Sequence, residues 1–174
     1  MNSQAKNQYI NVFDMMTEWR IKNKFLKDQI VEIEQRRGFK IAPLVSFIFK
    51  SQLIEWEIKQ LITELDLYSR FSNNHKVSKR KIITPYEMDE QKWTLGKLIL
   101  EFKKYKYEFL KDLQIQLEAF KDLRNKFIHC LFNLGSIEDL IKKAEQGLKL
   151  ANNIINDIEQ VNNFLEKHDS FNTK

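Results

Sequence analysis

The sequence predicts an all-α protein, an up-down helical bundle of four to five helices. Glycine and proline, which turn the chain between strands, number only 4 and 2 in 174 residues. Apolar residues recur at steps of three and four along most of the chain, the spacing that gives a helix one apolar face. The length fits a single domain, residues 1–174, with a core of its own.

The first two helices are predicted over residues 5–36 and 43–69, separated by the helix-breaking segment RRGFKIAP. The first has an apolar stripe that indicates a neighbouring helix: Tyr9, Val12, Met16, Trp19, Leu26, Ile30 and Ile33. The second is densely apolar, and only Glu55 and Glu57 interrupt its middle. A helix that is apolar nearly all round is typical of the centre of a bundle.

Residues 70–83 form the longest predicted non-helical stretch, a basic loop. The segment TPYE then starts a short helix, because Thr84 and Glu87 have the spacing of a capping box. TLGKLILEFKKY predicts the third main helix, in which Gly96 allows a neighbour to approach closely.

The fourth long helix is predicted from about residue 107 to Gly135, which suits a helix end. Ser136 with Asp139 opens the last helix, and residues 167–174 are predicted to be a frayed tail. The fourth helix has this apolar stripe: Phe109, Leu113, Leu117, Phe120, Leu123, Phe127, Leu131 and Leu134. The last helix has this one: Leu140, Ala144, Leu148, Ala151, Ile155, Ile158, Val161 and Leu165.

Charge and composition limit the classes of function. A net charge of +5 permits an acidic partner such as RNA, although lysines that alternate with acidic residues also form ordinary solvated surfaces. No apolar run predicts a membrane span or a signal peptide, so we expect a cytoplasmic protein. One cysteine, Cys130, and three scattered histidines give no zinc-like spacing, so we expect no metal and no cofactor.

The fourth helix carries an unusual polar group near its end. At about 100° per residue, His129 points away from the apolar stripe, with Asn125 on nearly the same face and Arg124 about 140° from His129. Ile128 and Phe132 run between them, which predicts a second interface, most simply a two-fold homodimer. Two copies would bring two sets of Arg124, Asn125 and His129 to one cleft.

Arg124, Asn125 and His129, in the run RNKFIH, resemble the arginine-to-histidine motif of HEPN domains, all-helical proteins common among prokaryotic toxins, phage-defence proteins and RNA-processing enzymes. The resemblance implies a HEPN-like bundle and a metal-independent endoribonuclease that leaves 2′,3′-cyclic phosphate and 5′-hydroxyl ends. His129 would transfer protons, Arg124 would bind the phosphate, and Asn125 would orient His129 or hold a phosphate oxygen.

The resemblance also implies partners: RNA, a second copy of the chain, and an antitoxin or regulatory protein. Four basic residues of the loop would lengthen the RNA-binding surface: Lys76, Lys79, Arg80 and Lys81. Glu57, on the second helix, would fix Arg124 if the two side chains pair. Leu131 stands where HEPN toxins paired with nucleotidyltransferase antitoxins usually carry a tyrosine, which argues against modification of that position.

Simpler interpretations of the same residues remain open. Arg124 suits an interhelical or surface salt bridge, Asn125 a polar surface, and His129 an exposed or interface position without catalytic work. A HEPN-like domain that binds RNA or nucleotide without cutting it would use Arg124 and the basic loop. A purely structural module would instead use the first helix, where Asn23 would specify a partner coil.

Overall fold

The structure, a computed structural model, describes residues 21, 24–35, 40–71, 81–132 and 136–168, with the backbone alone at positions 71, 131, 132 and 168. Within these ranges the chain is helical and contains no strand. The helices are α1 (24–35), α2 (Ala42–Phe71), α3 (Pro85–Glu90), α4 (Leu95–Phe102), a 3-10 turn (Glu108–Leu110), α5 (Lys111–Phe132) and α6 (Ile137–His168).

The long helices α1, α2, α5 and α6 alternate in direction. The ion pairs Lys27–Glu57 and Lys50–Glu34 make α1 antiparallel to α2. The ring of Phe47, near the start of α2, lies 4.9 Å from that of Phe127, near the end of α5, so these helices are also antiparallel. The remaining pair, α5 and α6, is likewise antiparallel, as the bond from Gln116 to Asp157 on the later helix indicates. The predicted all-α up-down bundle is therefore confirmed.

Helix α2 is the centre of the bundle, and among the elements from α2 to α6 its contact with α6 is the most extensive. The two helices run parallel, since the start of α2 packs on the first half of α6. Full burial of a large apolar side chain stabilises the fold by about 1.5–3 kcal/mol. The fully buried apolar side chains of α2 are Phe47, Leu53, Ile54, Ile58, Leu61, Ile62 and Leu65.

Polar side chains of α2 are buried as well, and each of the following pairs joins α2 to another element. Lys50 donates to Asn152 of α6 and pairs with Glu34 of α1, both at 2.7 Å. Lys59, only 3% exposed, pairs with Asp89 of α3 at 2.5 Å. Since a buried charge is costly without a partner, these contacts fix how the surrounding helices sit on α2.

Helix α2 approaches α6 closely at Gly147. A Cβ atom at that position would lie 2.7 Å from Cζ and 2.8 Å from Cδ2 of Phe47, whose ring packs edge-on against Phe120 and Phe127. The prediction of a close approach at Gly96 is wrong, because a Cβ atom there would meet its nearest neighbours at 4.0 Å. Glycine in the middle of a long helix therefore makes room for the ring of Phe47.

The helix starts agree with the sequence. Thr84 and Glu87 form the predicted capping box at α3, and Ser136 accepts a hydrogen bond from the backbone N–H of Asp139 at the start of α6. Helix α2 is longer than predicted and ends at residue 71, inside the predicted loop. Helix α6 continues to residue 168, so the predicted tail begins later, and residues 169–174 lie outside the described ranges.

The third main helix ends earlier than predicted, at Phe102. The amide of Gln114 on α5 donates to the carbonyl oxygens of Phe102, at 3.3 Å, and Tyr105, at 3.0 Å. The hydroxyl of Tyr105 donates to Asp66 at 2.8 Å. The Gln114 amide satisfies carbonyl groups that a longer helix would have paired, while the Tyr105 hydroxyl joins the segment before α5 to Asp66 of α2.

The two helical glycines make a matched pair for a stability measurement. We expect Gly147→Ala to lower the free energy of unfolding by about 1–2 kcal/mol, because overpacking against Phe47 costs roughly 1–3 kcal/mol and outweighs a helix gain of up to about 1 kcal/mol. Gly96→Ala should raise it by about 0.5–1 kcal/mol, since its site has room. Urea unfolding of both variants tests this; equal stabilisation by the two would contradict it.

Candidate functional site

Helix α5 positions all three residues of the predicted motif. Asn125 and His129 are exposed and lie one turn apart on the same face, which confirms that His129 points away from the core. Their side chains therefore meet solvent. Any reaction that uses His129 takes place on this outer face of α5.

Arg124 is separated from that face. The buried stripe of α5 runs through Leu113, Leu117, Phe120 and Phe127. Arg124 occupies the position between Phe120 and Phe127 in the same three-and-four spacing. Its side chain is 27% exposed, and Nη2 lies 2.9 Å from Oε1 of Glu55 on α2. Within one chain the structure thus separates Arg124 from His129 by about 140° around the helix axis.

The carboxylate that contacts Arg124 is Glu55, so the assignment of Glu57 to this role is wrong. Two positions along a helix rotate a side chain by about 200°, which directs Glu57 to the opposite side of α2. There it pairs with Lys27 of α1 at 3.2 Å. Sequence reasoning noted both glutamates, but the register of α2 against α5 decides between them.

Four alternating charges connect three helices around this contact. Arg124 of α5 pairs with Glu55 of α2, and Lys59, one turn further along α2, pairs with Asp89 of α3. Burial raises the pKa of Glu55 above the ordinary glutamate value, Arg124 and then Lys59 oppose the rise, and Asp89 adds to it. The two cations and two carboxylates balance, so the cluster adds no net charge to the interior.

A groove of about 350 Å³ lies beside this cluster, between α2 and α5. Its lining is Phe47, Ile48, Ser51, Gln52, Arg124, Phe127 and Ile128. Ile48 is 53% exposed, a large fraction for an apolar side chain in the central helix. The sequence analysis does not predict this groove. The one sequence signal for it is that α2 is apolar nearly all round, so that part of its apolar surface is left facing solvent.

Ile128, one of the two predicted dimer residues, is half-buried and lines the groove. Part of its surface therefore packs inside the chain and does not form a free outer face. The side chain of Phe132, the second predicted interface residue, lies outside the described part of the structure. The dimer contact stays a prediction.

Most of the predicted RNA-binding loop is not described. Lys76, Lys79 and Arg80 lie outside the described residues. Lys81 is exposed, and its ammonium group donates to the carboxylate of Glu87. Burial raises the pKa of Glu87, but hydrogen bonds from Lys81 and the backbone of Thr84 outweigh it and hold that pKa below the usual range.

Cys130 is half-buried. Lys143 of α6 donates a hydrogen bond to its sulfur at 3.1 Å, and this bond raises the pKa of Lys143. Among the residues described here, no three histidine, cysteine, aspartate or glutamate side chains gather as a metal site. No helix in the same ranges has the length and apolar character needed to cross a membrane.

Comparison of the chain with protein-family models, curated proteins and solved structures gives no match.

The raised pKa of Glu55 predicts a pH dependence of stability. A carboxyl that binds protons more tightly in the folded state makes the free energy of unfolding fall as pH rises from the ordinary glutamate range through the raised value. The side chain of the Glu55→Gln variant does not bind or release a proton in this pH range. The unfolding free energy of the native chain minus that of Glu55→Gln should therefore decrease as the pH rises above about 4.3, the ordinary glutamate pKa.

Urea unfolding at a series of pH values measures this difference. Glu145→Gln, at an exposed position of α6, is the control for general effects of losing a carboxylate. A difference for Glu55→Gln that stays constant or increases with pH would refute the assignment.

Proposed function

We propose that the protein is a metal-independent endoribonuclease of the HEPN type, acting at a composite site in a homodimer. The observation that carries the proposal is the exposure of His129 and Asn125 on one face of α5, with Arg124 held by Glu55 on a different face of the same helix. A histidine side chain can exchange protons near neutral pH when solvent and substrate reach it.

The reaction needs two proton transfers, one from the ribose 2′-hydroxyl and one to the departing 5′-oxygen. His129 of one copy takes the first proton and, as the imidazolium, delivers it to the departing 5′-oxygen, while Arg124 of the second copy holds the phosphate. The 2′-oxygen attacks its own phosphorus, the bond to the 5′-oxygen breaks, and the products carry a 2′,3′-cyclic phosphate and a 5′-hydroxyl. DNA lacks the attacking hydroxyl and is not a substrate.

Arg124 binds the phosphate oxygens as negative charge develops on them. Its guanidinium contacts Glu55 through Nη2, and because the group carries five N–H donors it can also bind an acceptor in the groove that it lines. Because Arg124 and His129 lie on different faces of α5, the arginine that serves one His129 belongs to the second copy. This arrangement makes the dimer necessary for cutting, with Asn125 orienting His129 or a phosphate oxygen.

An enzyme that cuts cellular RNA needs restraint, so the proposal includes the role of a toxin or anti-phage effector held by an antitoxin or regulatory protein. RNA as the substrate implies work in the cytoplasm. The basic loop, including Lys76, Lys79, Arg80 and Lys81, extends the RNA-binding surface and adds salt-dependent affinity.

A second candidate is RNA or nucleotide binding without cleavage. It is favoured by the position of Arg124, which lines the groove between α2 and α5 while His129 lies on another face. Such a protein would bind RNA saturably and leave it intact.

The test is cleavage of a labelled mixed-sequence RNA in EDTA. We expect the native chain to leave cyclic-phosphate ends and His129→Ala to cut about 10²–10⁴-fold more slowly, since it lacks the proton-transferring group. The same RNA with 2′-deoxyribose at every position should stay intact. Asp122→Asn, at an exposed position on α5, is a matched control and should cut like the native chain.

Mixing tests the composite site. An excess of folded Arg124→Ala chain added to His129→Ala chain should restore part of the activity, because one of the two sites in the mixed dimer is then intact. Equal rates of cutting by the native and His129→Ala chains would exclude His129 from the cleavage mechanism. RNA binding with no cutting by any preparation would favour the second candidate.

A further inference from the structure

The groove between α2 and α5 has the features of a binding site for a flat, partly polar ring. Its volume of about 350 Å³ is at the small end of the range of roughly 300–1,000 Å³ that small-molecule sites occupy. Phe47 and Phe127 are buried and form its base, while Ile48 and Ile128 line it with aliphatic surface. These side chains supply apolar contact area but no specificity.

Two polar side chains at the groove, Arg124 and Gln52, determine which groups of a ligand can bind there. Arg124 lines it and Glu55 does not, so the groove presents the positive member of that ion pair. Gln52 is exposed, and its amide offers one acceptor and two donors side by side. The Ser51 hydroxyl is already committed, since it donates to the backbone carbonyl of Phe47 at 2.8 Å.

We infer that the groove holds one nucleobase, adenine, of an RNA whose neighbouring phosphate Arg124 binds. This inference rests on the proposed function, and it names the base beside the reacting phosphate. The base would lie against the aliphatic walls. The amide of Gln52 would donate to N7 and accept from the exocyclic amine, a pairing that glutamine makes with adenine.

Charge and polarity favour this occupant over an apolar one. A protein side chain or helix with only apolar contacts would cover Arg124 and Gln52 and remove their hydrogen-bonding groups from water without replacement. A nucleotide supplies an anion for the guanidinium and a donor–acceptor edge for the amide. The occupant is therefore a nucleotide unit and not a second copy of α5.

Binding measurements on the full chain test the inference without requiring cleavage. Adenosine 3′-monophosphate should bind roughly tenfold tighter than uridine 3′-monophosphate or ribose 5-phosphate, and the methyl NMR signals of Ile48 and Ile128 should shift. Gln52→Leu should remove the preference for adenine, while Gln35→Leu, at an exposed position of α1, should keep it. An oligoribonucleotide with one adenine should bind more tightly than the monophosphate, through its additional phosphates.

Several results would overturn the inference. Equal affinity for the three small ligands, or unmoved Ile48 signals, would exclude a base site. Equal affinity for monophosphate and oligoribonucleotide would exclude RNA as the occupant. A change in sedimentation caused by Ile48→Asp, without a change in nucleotide affinity, would show that a second copy covers the groove.

The same experiments separate this inference from the proposed function. RNA cutting that depends on His129 but shows no adenine preference overturns the base site and leaves the ribonuclease. Adenine binding that depends on Gln52, with no cutting by the native chain, overturns the ribonuclease and leaves the base site.

Discussion

Helix α2 is covered on nearly every side, and the ionic side chains that it buries impose the arrangement of its neighbours. Lys50, Glu55, Glu57 and Lys59 each find an oppositely charged group on a different part of the chain. Because a buried charge without a partner is costly, each of these contacts restricts where the partner element can lie against α2. Apolar burial drives the collapse of the bundle, while these contacts specify its register.

In its contact with Glu55, Arg124 serves both the stability of the fold and the proposed binding of phosphate. An arginine in the buried stripe of α5 needs a carboxylate, and Glu55 provides it. The contact with Glu55 holds the guanidinium at the edge of the groove between α2 and α5, where it binds a phosphate under the proposed function. Stability and function would then depend on the same pair, and a substitution at either residue affects both.

Much of the fold is readable from the sequence, because periodicity and capping residues act locally. The capping residues Thr84 and Ser136 start their helices as predicted, and the apolar stripe of α6 is buried along most of its length. The break after Phe102 is not readable, because its cause is the amide of Gln114 on another helix. Local patterns describe helices well and tertiary hydrogen bonds poorly.

The candidate site shows the same division. The exposure of His129 follows from counting positions around α5, and the structure agrees. The choice of Glu55 over Glu57 depends on how α2 is rotated against α5, which one helix alone does not determine. The groove is a property of two helices together, and its one signal in the sequence is that α2 is apolar nearly all round. The motif was found in six adjacent residues, and the residues that support it lie about seventy positions earlier.

The parallel pairing of α2 with α6 has a consequence for synthesis of the chain. Lys50 and Asn152, which join these helices, are 102 positions apart, and Phe47 packs on Gly147. The ribosome releases α2 long before α6. At a synthesis rate of about 5–20 residues per second, the apolar surface of α2 stays uncovered by α6 for several seconds. Nascent chains therefore hold their central helix incompletely covered, and a chaperone that shields apolar helices would find its substrate in that interval.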